Sequence, residues 1–166
     1  MNMDGANPTN LRIGHGYDIH RLQNGGVLVL AGVEVAQGIS PVAHSDGDVV
    51  LHALVDALLG AMGLGDIGQM FPNTDPKWRG VASRVFLDAA VQKVCDGGFA
   101  IMNADVTILA ERPRLAEHKA RMVESLGAML GSAVNIKAGT NERCDAIGRG
   151  EAIAAHAIVL LAQTRS

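Results

Sequence analysis

Aromatic residues are scarce in this chain: they make up 3% of its 166 residues, whereas hydrophobic residues together make up 48%. A core of this composition has to be built from Ala, Val, Leu, Ile and Met. Cysteine is scarce as well, because the chain has only Cys95 and Cys144, which form no CxxC or other paired metal-ligand spacing. Reduced thiols are the simplest account of two unpaired cysteines, so we expect a cytoplasmic protein.

Long apolar runs and clusters of positive charge are also missing. No run approaches the roughly 20 residues of a membrane span, and the first ten residues contain neither an apolar stretch nor an arginine. Lys and Arg are scattered and the formal net charge is −3, so we expect neither a nucleic-acid nor a membrane partner. The first ten residues are expected to form a loose tail. The length of the chain predicts a single domain, over residues 11–166.

Hydrophobic periodicity and turn residues predict both strands and helices. Strands are expected over Leu11–His20, Val27–Val35, Phe99–Ala110 and Val134–Ala138, and helices over Val49–Met62, Ala82–Cys95 and Ala116–Leu130. The glycine pair in Asn24-Gly25-Gly26 predicts a hairpin turn between the first two strands, and segments 65–68 and 71–76 are expected to be loops. Hairpins mixed with crossover helices predict an α/β (α+β) fold, with helices on one face of a mixed sheet.

The strongest candidate for a metal site is the D-x-H pair of Asp18 and His20. Residues two apart on a strand point to the same face, and Gly14 and Gly16 are expected to leave open space beside the pair. His52, from the first turns of a predicted helix, can close the ligand set. One carboxylate and two imidazoles suit Zn²⁺, with a fourth position for water or substrate. The alternative is a surface aspartate with two hydrogen-bonded histidines.

Polar residues around His52 extend this candidate site. Asp48 and Asp56 lie four residues to either side of His52, so either could orient its imidazole, or simply lie on a solvated helix face. His44 and Ser45 precede a helix N-terminus, where free amide groups attract phosphate. Alternatively Ser45 only caps the helix, because Ser45-x-x-Asp48 matches a capping box.

Gly139-Thr140-Asn141-Glu142 follows a predicted strand and forms a second candidate site. A hydroxyl and a carboxylate at a strand end suit a hard cation such as Mg²⁺, which bridges phosphates with the help of one or two carboxylates. Taken alone, the segment is equally well read as a turn.

Several segments together resemble the 2-C-methyl-D-erythritol 2,4-cyclodiphosphate synthases, the ring-forming enzymes of the non-mevalonate isoprenoid pathway. The segments are RIGHGYDIHRL, AHSDGDVVLHALVDALLGAMGLGDIGQMFPNTDP, NADVTILAERPRL, VNIKAGTNE and GRGEAIAAHAIVLL. The resemblance implies a homotrimer with sheets around a central axis and active sites between adjacent subunits. It also favours a strand over Ala152–Ala162, whose alanines would otherwise permit a helix.

The resemblance further implies a substrate, 4-diphosphocytidyl-2-C-methyl-D-erythritol 2-phosphate, whose 2-phosphate attacks the β-phosphorus and expels CMP. It implies Zn²⁺ on Asp18, His20 and His52, and Mg²⁺ or Mn²⁺ on Glu142. His44 and Thr140 match the residues that flank the reacting phosphates. The implied substrate-binding residues are Ser45, Asp66, Ile67, Gly68, Phe71, Pro72, Asn73, Thr74 and Asp75 for the phosphate and erythritol, Ala110, Pro113, Arg114, Leu115 and Ala116 for cytidine, and Gly139, Asn141 and Arg149.

The chain departs from the family pattern in two places. Gly139 stands where the family often has a threonine, and Cys144-Asp145-Ala146 stands where it often has Leu-Gly-Phe. The second change removes an aromatic ring from the central cavity, where the family is thought to bind isoprenoid diphosphates. Two other functions are compatible with the ligand set: a zinc phosphohydrolase, which would release a linear phosphate, and a non-catalytic metal-stapled trimer that binds phosphates.

Overall fold

The computed structural model describes residues 11–72, 74–78 and 80–164, so the predicted tail over residues 1–10 and Asn73 lie outside the described residues. Five strands are β1 (Leu11–Leu30), β2 (Val33–Pro41), β3 (Phe99–Leu109), β4 (Ala133–Gly139) and β5 (Ala152–Gln163). The helices are α1 (Val49–Met62), α2 (Ile67–Met70), α3 (Ser83–Asp96), α4 (Lys119–Leu130) and α5 (Asp145–Gly148), with a 3₁₀ turn at Pro76–Trp78. The predicted strand at the C-terminal end is confirmed as β5.

The strands form one mixed sheet in the order β2-β1-β5-β3-β4. The β3–β4 pair is parallel, and the β1–β2, β1–β5 and β3–β5 pairs are antiparallel. Helix α1 packs on β1, β5 and α3, while α3 packs on β3 and α4 on β4. The predicted mixed α+β fold is therefore confirmed. Within the part of the chain that the structure describes, no helix is long and apolar enough to span a membrane.

Helix α1 lies unusually close to β1 because two glycines face it. A Cβ atom on Gly14 would lie 1.8 Å from the carbonyl oxygen of Ala57, and one on Gly16 would lie 1.9 Å from that of Ala53. The prediction that these glycines leave open space is therefore wrong. The helix backbone fills that space, and this close contact brings His52 on α1 towards the strand.

The hairpin turn lies six residues beyond its predicted position. Strand β1 runs through Asn24-Gly25-Gly26, where Gly25 and Gly26 oppose the single residue Gly38 of β2 in a bulge, and the chain reverses at Ala31-Gly32. Both turn residues have positive φ, 54° and 72°, as a tight two-residue hairpin turn requires. The carboxylate of Asp48 holds this turn by accepting hydrogen bonds from both amides, at 3.0 and 2.8 Å. The predicted strand Val27–Val35 is therefore wrong in that it spans the turn.

Other boundaries differ in smaller ways. Asp48, not Ser45, caps α1, because its side chain accepts from the amides of Val50 and Leu51. Short helical turns, α2 and Pro76–Trp78, occur in segments predicted as loops, and α5 was not predicted. Helix α4 begins at Lys119, three residues later than expected. Each difference involves about one turn of helix, and helix ends are the part of a secondary-structure prediction that sequence patterns fix least well.

The sheet face opposite α1 is rich in exposed apolar side chains. Along β1, the residues that alternate with the buried glycines are exposed, with Ile13 72% exposed and Tyr17 42% exposed. The large apolar residues exposed on the sheet strands β1, β3 and β5 are Leu11, Ile13, Tyr17, Ile19, Val27, Met102 and Ile158. A sheet face with several exposed large apolar side chains commonly marks a protein–protein interface.

Candidate active site

The three candidate metal ligands come from β1 and α1, which pack against each other. Asp18 and His20 lie two residues apart on β1, and His52 lies in the first turn of α1. Nδ1 of His52 lies 2.9 Å from Oδ2 of Asp18 and 3.2 Å from Nε2 of His20, and the latter two atoms are 3.2 Å apart. Three donor atoms of the predicted residues therefore converge on one point.

The chemistry and spacing of these donors fit a zinc ion. Two ligands of a tetrahedral Zn²⁺ ion, each about 2.0–2.1 Å from the metal, are about 3.3 Å apart, close to the spacing observed. Burial lowers the pKa of His20, although the nearby Asp18 opposes this effect, and the neutral imidazole is the form that binds a metal. Among the described residues, Asp18, His20 and His52 form the one cluster of three acidic, histidine or cysteine side chains with converging ligand atoms.

The outer ring nitrogen of His52, Nε2, contacts a residue other than the two that were predicted to orient the imidazole. The carboxylate of Asp48 accepts hydrogen bonds from the backbone amides of the β1–β2 turn and of α1. Oδ1 of Asp56 accepts from the amide of Ile67 at 2.7 Å. Nε2 of His52 instead contacts Oγ of Ser83 at 2.8 Å. The prediction that Asp48 or Asp56 orients His52 is therefore wrong. Ser83 lies 31 residues away in sequence and carries no local signal for this role.

The ligand set opens into a cavity of about 390 Å³. Predicted substrate-binding or catalytic residues that line it are His44, Ser45, Ile67, Gly68, Phe71, Pro72 and Thr74. Sequence reasoning missed Trp78 and Phe86, which also line the cavity and whose rings lie 5.6 Å apart. Both pack against Phe71. Phe71, Trp78 and Phe86 lie close together in a sequence that has few aromatic residues, and this clustering could have indicated a shared cavity wall.

Two predicted carboxylates lie outside this lining. Asp66 caps α2 by accepting from the amide of Gln69 at 2.8 Å. Asp75 bonds the amide of Lys77 and forms an ion pair with its ammonium at 2.9 Å, and these bonds lower the pKa of Asp75. Both side chains therefore stabilise the local turns that shape the cavity wall.

A second cavity, of about 360 Å³, lies at the ends of the parallel strands β3 and β4. The predicted residues that line it are Ala110, Pro113, Arg114, Leu115, Ala116, Gly139 and Thr140. Lys119, the first residue of α4, lines it as well and was missed. The lining thus carries two cationic side chains, Arg114 and Lys119, and one carboxylate, Glu111. The two cavities share no lining residue, so the chain presents two separate cavities.

Glu142 lies in an exposed turn after β4 and away from the Asp18 ligand cluster. The hydroxyl of Thr140 donates to its carboxylate at 3.2 Å. Glu142 and Arg143 have positive φ, 49° and 64°, a conformation that costs non-glycine residues free energy. Asn141 does not line either cavity; it donates to Asp145 at 2.9 Å and so supports the turn.

Arg149 lines neither of these two cavities. It lines a third cavity, of about 720 Å³, together with Arg21, Arg112 and Ala146. Its guanidinium donates two hydrogen bonds to Glu151, at 3.0 and 2.9 Å, and this pairing lowers the pKa of Glu151. Within this chain, Arg149 and Ala146 therefore share one cavity that is separate from the first two.

The fold and the site together define an α+β protein with an Asp-His-His metal-ligand set on a strand and a helix. Residues 11–162 match the model of the YgbB family. The chain is 48% identical to 2-C-methyl-D-erythritol 2,4-cyclodiphosphate synthase of Dechloromonas aromatica, over 92% of this chain and 97% of the relative. The chain belongs to the YgbB family, and the resemblance inferred from its motifs is confirmed.

Two further relatives extend the comparison. The chloroplastic 2-C-methyl-D-erythritol 2,4-cyclodiphosphate synthase of Arabidopsis thaliana is 48% identical over 90% of this chain, which spans only 66% of that relative. A solved structure of 2C-methyl-D-erythritol-2,4-cyclodiphosphate synthase in its CDP-bound form is similar with a TM-score of 0.84 and 41% identity. The match covers 90% of this chain and 99% of the solved one.

Proposed function

We propose that this chain converts 4-diphosphocytidyl-2-C-methyl-D-erythritol 2-phosphate into 2-C-methyl-D-erythritol 2,4-cyclodiphosphate and CMP, as a phosphorus–oxygen lyase. The observation that carries the proposal is the convergence of Asp18, His20 and His52 within about 3.2 Å of one another at a cavity. Membership of a family whose curated relatives have this name supports the same reaction.

In the proposed reaction, an oxygen of the 2-phosphate forms a bond to the β-phosphorus, and the bond between that phosphorus and the departing CMP oxygen breaks. Both reacting groups belong to one substrate, so the protein needs to supply no nucleophile. Its contribution is positioning and neutralisation of negative charge. Zn²⁺ on Asp18, His20 and His52 would supply Lewis-acid polarisation of the phosphate oxygens. On the cavity wall, His44 and Ser45 are the groups that donate hydrogen bonds to phosphate.

The second cavity is the proposed cytidine half-site. Arg114 and Lys119 on its wall provide positive charge towards the diphosphate, and Thr140 provides a hydroxyl donor. The CDP-bound relative supports a nucleotide ligand of this class. Glu142 follows Thr140 at the rim, where we propose that it holds Mg²⁺ or Mn²⁺ between phosphates.

We propose a homotrimer in which the metal half-site of one subunit faces the nucleotide half-site of its neighbour. Two observations support this assembly: the cavities on one subunit share no lining residue, and an apolar sheet face is exposed on the single chain. A closed ring buries that face in every subunit. The free cysteines are in keeping with the proposed cytoplasmic location.

Removal of one ligand tests the proposed metal site and its role together. Wild-type protein should contain about one zinc ion per subunit and release CMP from the CDP-linked substrate. His52→Ala should lose both the zinc, by elemental analysis, and CMP release. The matched control is His118→Ala, at the N-terminus of α4, which should retain both. Full zinc content or full CMP release in His52→Ala would refute the assignment.

A further inference from the structure

The side of the His52 ring that faces away from the metal ligands meets two hydroxyl groups. Nε2 lies 2.8 Å from Oγ of Ser83 and 3.2 Å from Oγ of Ser45. Ser83 is fully buried and His52 is 9% exposed, so bulk water does not compete freely for this contact. Ser83 is the first residue of α3, which packs on α1.

Asp46 determines which way the hydrogen bond between Ser83 and His52 runs. The hydroxyl of Ser83 contacts Oδ1 of Asp46, and the amide of Ser83 donates to Oδ2 of Asp46 at 3.1 Å. A carboxylate can only accept, so the single hydroxyl proton of Ser83 points to Asp46. The Ser83 oxygen is then left to accept a hydrogen bond, and of its two neighbouring donors Nε2–H of His52 at 2.8 Å is closer than the hydroxyl of Ser45 at 3.4 Å.

We propose that Asp46 and Ser83 are positioning residues that hold the metal-binding tautomer of His52, in which Nε2 carries the proton. The lone pair of this tautomer lies on Nδ1, the atom that faces Asp18 and His20. A ligating imidazole is commonly fixed in this way by a hydrogen-bonded partner on its other nitrogen. The inference rests on the proposed function for the metal, because without an ion the carboxylate of Asp18, 2.9 Å from Nδ1, also accepts a hydrogen bond from that atom.

The same contact joins α3 to the metal site. The helix cap residue, Ala82, has no side-chain oxygen to bond the first amides of α3, and Asp46 supplies that acceptor from the loop before α1. One carboxylate thus bonds both the backbone of α3 and the hydroxyl that contacts His52. Displacement of α3 would therefore release the imidazole as well.

The test uses the full-length, zinc-loaded protein, with the ring nitrogens of histidine observed by long-range ¹H–¹⁵N NMR. His52, assigned by comparison with His52→Gln, should have a protonated Nε2 and an unprotonated Nδ1. In Asp46→Ala the Ser83 proton is free to turn towards Nε2, and in Ser83→Ala the acceptor is absent. In both variants the Nε2 proton should therefore exchange with water faster than in wild type. Both variants should bind zinc about 10–100-fold more weakly than wild type.

The control variant is Ser132→Ala, which removes a serine hydroxyl between α4 and β4, two elements that carry none of the metal ligands. It should leave the His52 tautomer and the zinc affinity unchanged. A wild-type His52 protonated on Nδ1 would overturn the inference, as would wild-type zinc affinity in both Asp46→Ala and Ser83→Ala. The proposed function fails separately: a zinc-loaded protein with the expected tautomer that releases no CMP refutes the reaction and leaves this inference standing.

Discussion

The carboxylate of Asp48 accepts a hydrogen bond from the amide of Gly32 at 2.8 Å, and thereby ties the start of α1 to the β1–β2 turn. The same carboxylate accepts from the amides of Ala31, Val50 and Leu51. One buried side chain therefore accepts the hydrogen bonds of the turn amides and also caps the helix that carries His52. Because this helix presents a metal ligand, the stability of the turn and the geometry of the site are connected.

The first prediction concerns Asp48 and pH. Asp48→Ala leaves buried amides without an acceptor and should lower the free energy of unfolding by about 3 kcal/mol or more. Burial raises the pKa of Asp48 from the ordinary 3.8 to about 6, although the amide hydrogen bonds oppose this. The folded protein then binds the proton more tightly than the unfolded chain, so this carboxyl's stabilisation is present below about pH 4 and is lost as pH rises to about 6.

Urea unfolding of metal-free wild type and Asp48→Ala at pH 4.5 and pH 7 measures this effect. We expect the variant to be more destabilised at the lower pH, by a difference on the order of 2–3 kcal/mol. A larger destabilisation at pH 7 would contradict this, because it would mean that the amide hydrogen bonds outweigh burial and lower the pKa of Asp48.

The second prediction concerns the contact between β1 and α1. In Gly16→Ala the new Cβ would lie 1.9 Å from the backbone oxygen of Ala53, so the helix must move and stability should fall by at least about 2 kcal/mol. Gly60→Ala is the matched control, because its Cβ has no atom within 4 Å and an alanine in a helix gains about 0.5–1 kcal/mol. In Gly16→Ala the midpoint temperature of thermal unfolding and the affinity for zinc should both decrease. Equal stability of the two variants would count against the close packing.

The third prediction concerns the exposed face of the sheet. Ile13, 72% exposed in the single chain, lies on the face that we propose to be buried between subunits. Ile13→Glu places a charge there and should convert the trimer to smaller species, as measured by light scattering. Val85→Glu changes an exposed apolar residue on α3 instead and should leave the trimer intact. A wild-type protein that is monomeric yet releases CMP would rule out the shared site.

The fourth prediction separates the two halves of the site. His52→Ala damages the metal half, and Arg114→Ala damages the nucleotide half. If each variant is inactive alone, co-expression should restore activity, because about a quarter of the interfaces in a random mixture of trimers carry neither defect. Inactivity of the mixed trimers would indicate that each subunit completes its own site.

The sequence predicted the metal ligands better than their surroundings. Asp18 and His20 follow from the two-residue period of a strand, and His52 from the pattern of a helix, because both rules depend on local spacing. Ser83 could not be predicted, since its contact with His52 arises only when α3 packs on α1. The turn was misplaced for the same reason: Gly25-Gly26 is the stronger local signal, but Asp48, distant in sequence, holds Ala31-Gly32.

For the substrate-binding residues too, local sequence patterns were informative and contacts between distant segments were not. Residues near Phe71 line the metal cavity and residues near Arg114 line the nucleotide cavity, in agreement with motifs that lie close together in the chain. In the proposed trimer the two cavities would face each other across subunits, and that arrangement depends on contacts between chains that local sequence patterns do not encode. The roles of these residues in substrate binding stay predictions.

The most direct test of the central claim is ³¹P NMR of the products formed by metal-loaded wild-type protein from the CDP-linked substrate. The proposed intramolecular attack predicts one CMP for each substrate consumed, together with a cyclic diphosphate whose two phosphorus atoms couple to each other, and no inorganic phosphate. A linear phosphate product would indicate hydrolysis, and unconsumed substrate would indicate a binding protein. Either of these results would contradict the assignment of a cyclodiphosphate synthase.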